Sequence, residues 1–180
     1  GLLFYRFISE NIEHYVNENQ RKAGIENFEY RNISDDQALM GKSQILEEKG
    51  FFIKPSELFC NVVANCDNDE NLNETLENVF KHIEESAKGS VSESDFSGLF
   101  DDIDVNSNKL GATVEKRNKK LASVLKNIAE MKLSYGDNSI DAFGDAYEYL
   151  ISEFAAGSGK KAGEFYTPQQ ISTILCLIAA

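Results

Sequence analysis

Six consecutive residues hold the densest set of binding chemistry in the sequence: Gly163, Glu164, Phe165, Tyr166, Thr167 and Pro168. A carboxylate, two aromatic rings and a hydroxyl stand together there, just before a segment that reads as a helix. Aromatic rings stack on a purine, and the first N–H groups of a helix favour a carboxylate. The same residues also serve a plainer purpose. Thr167 makes a good N-cap, and Pro168 suits the first helical position. The residues alone leave both readings open.

Other constellations are weaker. Asp67-x-Asp69-x-Asn71 and Asp102-x-Asp104-x-Asn106 begin as calcium loops do. A calcium loop needs glycine at its sixth position and a bidentate glutamate at its twelfth. The first has Leu72 and Asn78 at those places, and the second has Ser107 and Thr113. Both read as solvated loops. Gly157-Ser158-Gly159-Lys160 has the outline of a phosphate loop, but Phe154 and Lys161 occupy places that need glycine and a hydroxyl residue. It follows a helical segment and reads as a linker. His14 and His82 each stand alone at helical positions, so no metal site is expected. Cys60 and Cys66 read as half-buried thiols and Cys176 as core. No serine, histidine and acid form a nucleophile motif. Lys116-Arg117 and Lys119-Lys120 make the one dense basic patch, whose plain reading is a solvated helix face.

The elements that must position these groups are helical. Residues 3–19 place Phe4, Ile8, Ile12, Tyr15 and Val16 at helical spacing, with Glu10, Glu13 and Asn17 opposite. Ser34 caps a helix expected to run to Lys49, where Gly50 stops it. Phe51, Phe52 and Ile53 form a short strand or an extended link before Pro55. Pro55 then opens a helix through Ala64. Residues 71–87 make a further helix, with Leu72, Leu76, Val79, Phe80 and Ile83 inward. Residues 90–111 read as an acidic loop with apolar points at Phe96, Leu99, Phe100 and Ile103. Residues 113–132 form a long helix with Val114, Leu121, Val124, Leu125 and Ile128 inward. A turn at 134–138, a helix over 141–156 and a last helix after Pro168 complete the reading.

Composition bounds the function. The chain has 180 residues, of which 18 are basic and 30 acidic, for a formal charge of −12. That argues against a free-standing cationic clamp on nucleic acid or lipid. It leaves room for a DNA-acting assembly in which another segment or subunit supplies the positive surface. Two prolines and no tryptophan suit long uninterrupted helices. Three widely spaced cysteines make no disulfide framework and fit a reducing, cytoplasmic setting. The apolar run over 171–180 is about half the length a membrane span needs. The chain opens inside an apolar-periodic pattern without a preceding cap and closes on Leu-Ile-Ala-Ala. Both ends read as cuts in a longer protein.

Gly159-Lys160-Lys161-Ala162-Gly163-Glu164-Phe165-Tyr166-Thr167-Pro168 resembles the signature of the modification (methyltransferase) subunit of type I restriction–modification enzymes. Residues 141–155, reading Asp-Ala-Phe-Gly-Asp-Ala-Tyr-Glu-Tyr-Leu-Ile-Ser-Glu-Phe-Ala, resemble the helix that introduces its methylase domain. Upstream, Leu3-Phe4-Tyr5-Arg6-Phe7-Ile8-Ser9, the segment from Phe51 to Phe59, and Phe96-Ser97-Gly98-Leu99-Phe100 are similar to the family's earlier segments, in order.

The resemblance implies a mainly α fold: a helical bundle domain over residues 1–133, then over 134–180 the first helices of a doubly wound α/β methyltransferase domain. It implies a subunit that transfers a methyl group from S-adenosylmethionine to adenine N6 in DNA. Its implied partners are DNA, a specificity subunit, a restriction subunit and a second modification subunit. Membranes are not among them. Glu164, Phe165, Tyr166, Thr167, Pro168 and Gln169 would line one wall of the cofactor pocket. The family's Asn-Pro-Pro-aromatic tetrapeptide is absent, because Pro55 and Pro168 are the sole prolines. Its glycine-rich cofactor loop is absent as well. No catalytic residue is therefore expected within the 180 residues, and on their own they should be inactive. The competing reading is a non-enzymatic helical adaptor that holds partner helices in apolar grooves.

Overall fold

The backbone divides into two compact units, Gly1–Met131 and Lys132–Ala180. The computed structural model describes residues 1–131, and these form helices without a strand among the described residues. The expectations that fall on residues 132–180 lie outside the described residues.

Seven α-helices follow in chain order: α1 (Leu2–Lys22), α2 (Asp35–Met40), α3 (Lys42–Lys49), α4 (Phe59–Asn65), α5 (Leu72–Ala87), α6 (Glu93–Phe96) and α7 (Val114–Glu130). Two single 3-10 turns, Tyr30–Asn32 and Pro55–Glu57, carry the chain between them. α1, α4, α5 and α7 build the centre, with α7 packed on α1, α4 and α5.

α5 shows the logic in its simplest form. Leu72, Leu76, Val79, Phe80, Ile83 and Ala87 recur at helical spacing, and all are buried. Each large side chain removed from water in this way contributes about 1.5–3 kcal/mol. Phe80 stacks on Phe100 with centroids 4.4 Å apart. It also meets the edge of Tyr5 from α1 at 5.6 Å. The loop after α6 is thus tied to the core by Phe100, as its apolar points suggested.

Besides the short helix α6 inside the loop expected over 90–111, three local expectations are corrected. The helix expected over 34–49 is two helices. Ser34 does cap the first, with Gln37 completing a reciprocal capping box. Gly41 then interrupts it before α3 begins, as its low helix propensity allows. The second correction concerns the helix expected from Pro55, which is a 3-10 turn followed by α4. The third concerns two side chains. Val114 is exposed, since it stands in the first turn beyond the reach of the core, whereas Glu13 is buried and faces inward.

Phe51, Phe52 and Ile53 are buried and extended but pair with no strand. Side chains satisfy their backbone instead. Phe52 N–H donates to Ser86 Oγ at 2.9 Å, Ser86 Oγ lies 3.1 Å from Phe52 O, and Tyr30 OH donates to Ile53 O at 2.8 Å. Ser90 Oγ closes the row on Gly50 O at 2.7 Å. Gly50 is required there. Its φ is +76°, and a Cβ would stand 2.2 Å from Ser92 Oγ.

Candidate functional site

The six residues expected to line a cofactor pocket, Glu164, Phe165, Tyr166, Thr167, Pro168 and Gln169, lie outside the described residues. Residues 1–131 carry a different kind of site: charged crossings that fix how α1, α4, α5 and α7 meet.

The main crossing sits on α1. Arg6, Ser9 and Glu13 recur at helical spacing and are all buried. Each has a partner from a distant segment. Arg6 Nη1 donates to the carbonyls of Ile128 and, at 3.0 Å, Met131, where α7 ends. Terminal carbonyls lack helical partners and carry the negative end of the helix dipole, so a guanidinium satisfies both demands. Arg6 Nε also donates to Glu10 at 2.7 Å. Ser9 Oγ accepts from Phe59 N–H at 2.7 Å, which caps the first turn of α4. Glu13 takes Arg31 in a two-point pair, with Arg31 Nη2 at 2.9 Å from Oε2.

These groups surround a cleft of about 280 Å³, lined also by Cys60, Val63 and Ala129. Cys60 Sγ lies 4.0 Å from Glu13 Oε2. Burial pushes its thiol pKa up, and the Glu13 carboxylate pushes in the same direction. The thiol therefore stays protonated and unreactive near neutral pH. Glu13 in turn raises the pKa of Arg31 through their hydrogen bond.

A second crossing centres on the buried Glu57. Tyr5 OH donates to its backbone oxygen at 2.6 Å. Its carboxylate meets His82 Nδ1 at 2.5 Å and Lys54 Nζ at 3.1 Å. His82, which the sequence left alone on its helix, thus ties α5 to the 3-10 turn. A third crossing is built from amides. Asn118 Oδ1 accepts from Asn73 N–H at 3.1 Å and its Nδ2 donates to Glu70 O at 2.6 Å. Asn73 Nδ2 continues to Asn106 Oδ1 at 2.6 Å.

The acidic loops have structural work. Asp67 pairs with Lys126 of α7. Asp69 accepts from Asn71 N–H at 2.9 Å and from Thr75 Oγ1 at 2.6 Å, which holds the start of α5. No cluster of three potential metal-ligating side chains occurs among the described residues. Cys60 and Cys66 are free thiols, and Cys66 is more deeply buried than expected. No described helix is long and apolar enough to cross a membrane. Sequence patterns could not reveal the crossings, because every partner of Arg6, Ser9 and Glu13 except Glu10 comes from outside α1.

Fold and crossings define a class: a mainly α module whose helices are set by charged ties around one apolar core. The comparisons with known proteins give the family. The model of the HsdM N-terminal domain matches residues 1–128, and the model of N-6 DNA Methylase matches residues 138–180. The chain belongs to the HsdM N-terminal domain family. It is 46% identical over 185 residues to the type I restriction enzyme MpnII methylase subunit of Mycoplasma pneumoniae, covering 98% of this chain and 34% of that relative. A solved structure is also similar, that of the type I restriction-modification system methyltransferase subunit from Streptococcus thermophilus. The match has a TM-score of 0.71 and 32% identity, and covers 94% of this chain and 35% of that one. The chain spans about a third of the length of each.

Proposed function

We propose that this chain serves as the amino-terminal part of a type I restriction–modification methyltransferase subunit, which transfers a methyl group from S-adenosylmethionine to adenine N6 in a specific DNA sequence. The observation that carries this is the order of the two family matches: the HsdM N-terminal domain over 1–128, then N-6 DNA Methylase over 138–180. In this reading residues 1–133 are the helical domain and 134–180 open the catalytic one. The partners are DNA, a specificity subunit, a restriction subunit and a second modification subunit, in the cytoplasm.

S-adenosylmethionine supplies an activated methyl group on a sulfonium. The donor set of residues 164–169 fits that molecule in kind. Phe165 and Tyr166 offer faces for a purine and a sulfonium. Glu164, Thr167 and Gln169 offer partners for ribose hydroxyls and the amino-acid end, and proline is a residue type suited to the first position of a helix, whose N–H groups favour a carboxylate. The target adenine must leave the duplex stack to be reached. The helical domain contributes to assembly around DNA, and its charged crossings keep its shape while it does so.

The test is methyl transfer from labelled S-adenosylmethionine to duplex DNA by the full-length subunit with its specificity partner. Label on adenine N6 is the expected result; label on cytosine or none at all overturns the proposal. The 180 residues alone should transfer nothing. Tyr166→Ala in the full-length subunit should weaken cofactor binding about tenfold, the scale of one lost stacking contact.

A further inference from the structure

The first two turns of α7 carry Lys116, Arg117, Lys119 and Lys120. This is the positive end of the helix dipole, where cations are disfavoured. Glu115 is the one acidic residue in that first turn. A chain of formal charge −12 thus gathers four cations where the helix itself repels them.

The preceding loop adds a fifth. Gly111 lies so close to α7 that a Cβ would stand 2.7 Å from Lys116 Cβ and 3.0 Å from Arg117 N. Arg117 Nη1 donates to Gly111 O at 3.2 Å, and Lys120 Nζ donates to Lys109 O at 3.4 Å. Exposed Lys109 is thereby held beside Lys120. The roll of the helix is fixed from its opposite side, where buried Asn118 bonds to Asn73 and Glu70. Lys116, Lys120, Ser123 and Asn127 therefore share one exposed stripe. Lys116 acts on the carboxylate of neighbouring Glu115 only at a distance, since the direct pair of Glu115 is with Lys119. Lys119 pairs with Glu115, both 76% exposed, and such a pair opens readily. Glu130 lies at the far end of the same stripe.

Resting on the methyltransferase reading, we infer that Lys109, Lys116, Lys119, Lys120, Ser123 and Asn127 form a contact for the phosphate backbone of duplex DNA. The stripe supplies ammonium, hydroxyl and amide donors, the groups that bind phosphate without reading sequence. From residue 116 to 127 it runs about 16 Å, the length of four to five phosphates along one strand. Charge complementarity favours a polyanion over a protein surface of mixed sign.

The test is DNA binding by the full-length subunit in complex with its specificity partner, measured against salt concentration. The variant replaces Lys109, Lys116, Lys119 and Lys120 by glutamine. The slope of log affinity against log salt should become shallower by about 0.9 per lost contact, hence by about 3.6 for the four lysines. Cognate and unrelated duplexes should lose affinity equally, arginine replacements should keep the slope, and methyl transfer at saturating DNA should not change. The thermal midpoint should stay or rise, because the lost cations oppose the dipole. An unchanged slope overturns the inference, as does weakened subunit assembly with the slope intact, which would assign the stripe to an acidic protein. A wild-type complex that neither binds nor methylates DNA would instead sink the underlying reading.

Discussion

α5 and α1 solve the same packing problem in different ways. α5 buries an almost wholly apolar face, with Asn73 the exception at its start. α1 buries Tyr5, Ile8 and Ile12 together with Arg6, Ser9 and Glu13. An apolar face is stabilised by whatever apolar surface meets it, which is strong and unspecific. A buried polar group is stabilised only by the right partner, and is penalised without it. α5 therefore supplies adhesion, and α1 decides which elements it adheres to.

The largest effect should come from the apolar side of that contrast. Ile83→Ala, at a fully buried position, should cost about 2–5 kcal/mol, read from urea unfolding of the chain. A loss below about 1 kcal/mol would mean that α5 is less central than its burial shows. Arg6→Met tests the other helix. It keeps most of the apolar stem but takes the donor away from the carbonyls of Ile128 and Met131 at the end of α7. The expected loss is about 2–3 kcal/mol, with faster amide exchange at the end of α7. Exchange unchanged there would show that the guanidinium does not hold that end.

The next effect is in pH. Tyr5 and Tyr30 donate to backbone carbonyls, and burial raises both pKa values above the ordinary 10.0, Tyr5 by a wide margin. The protonated rings belong to the folded state. Their stabilisation is complete below pH 10 and erodes as pH rises from there toward the folded-state values. Tyr30→Phe should lower stability by about 1 kcal/mol at neutral pH and flatten the alkaline limb of a stability profile. A limb as steep as in the parent protein would assign it to other groups. Ser34→Ala should cost about 1 kcal/mol through its lost cap. Glu115→Gln should have the smallest effect of the series in unfolding experiments, because its pair with Lys119 is open to water and only its favourable place at the start of α7 is lost.

The same contrast explains what could be read from the sequence. α5 and α7 were legible because their apolar residues recur at helical spacing. Thr113 caps α7, accepting from Lys116 N–H. Glu13 was misassigned to the outer face because charge alone was weighed, and its partner Arg31 is 18 residues away. The apolar triplet at 51–53 was open to a short strand or an extended link, because an apolar run of three suits either. Only the positions of Ser86 and Tyr30 in space show that no second strand is needed. The proposed cofactor wall at 164–169 rests on its signature residues alone, since neither composition nor spacing separates it from a capped loop.

Arg6 has one more consequence, for the timing of synthesis. Its two carbonyl partners lie 122 and 125 residues further along the chain. On the ribosome α1 emerges before α7, with its guanidinium bonded to Glu10 at most and its two carbonyl acceptors still to come. At about 5–20 residues per second, roughly 6–25 seconds pass before α7 is made. Through that interval α1 waits with an apolar face half covered, and a chaperone that binds nascent chains would find its target there.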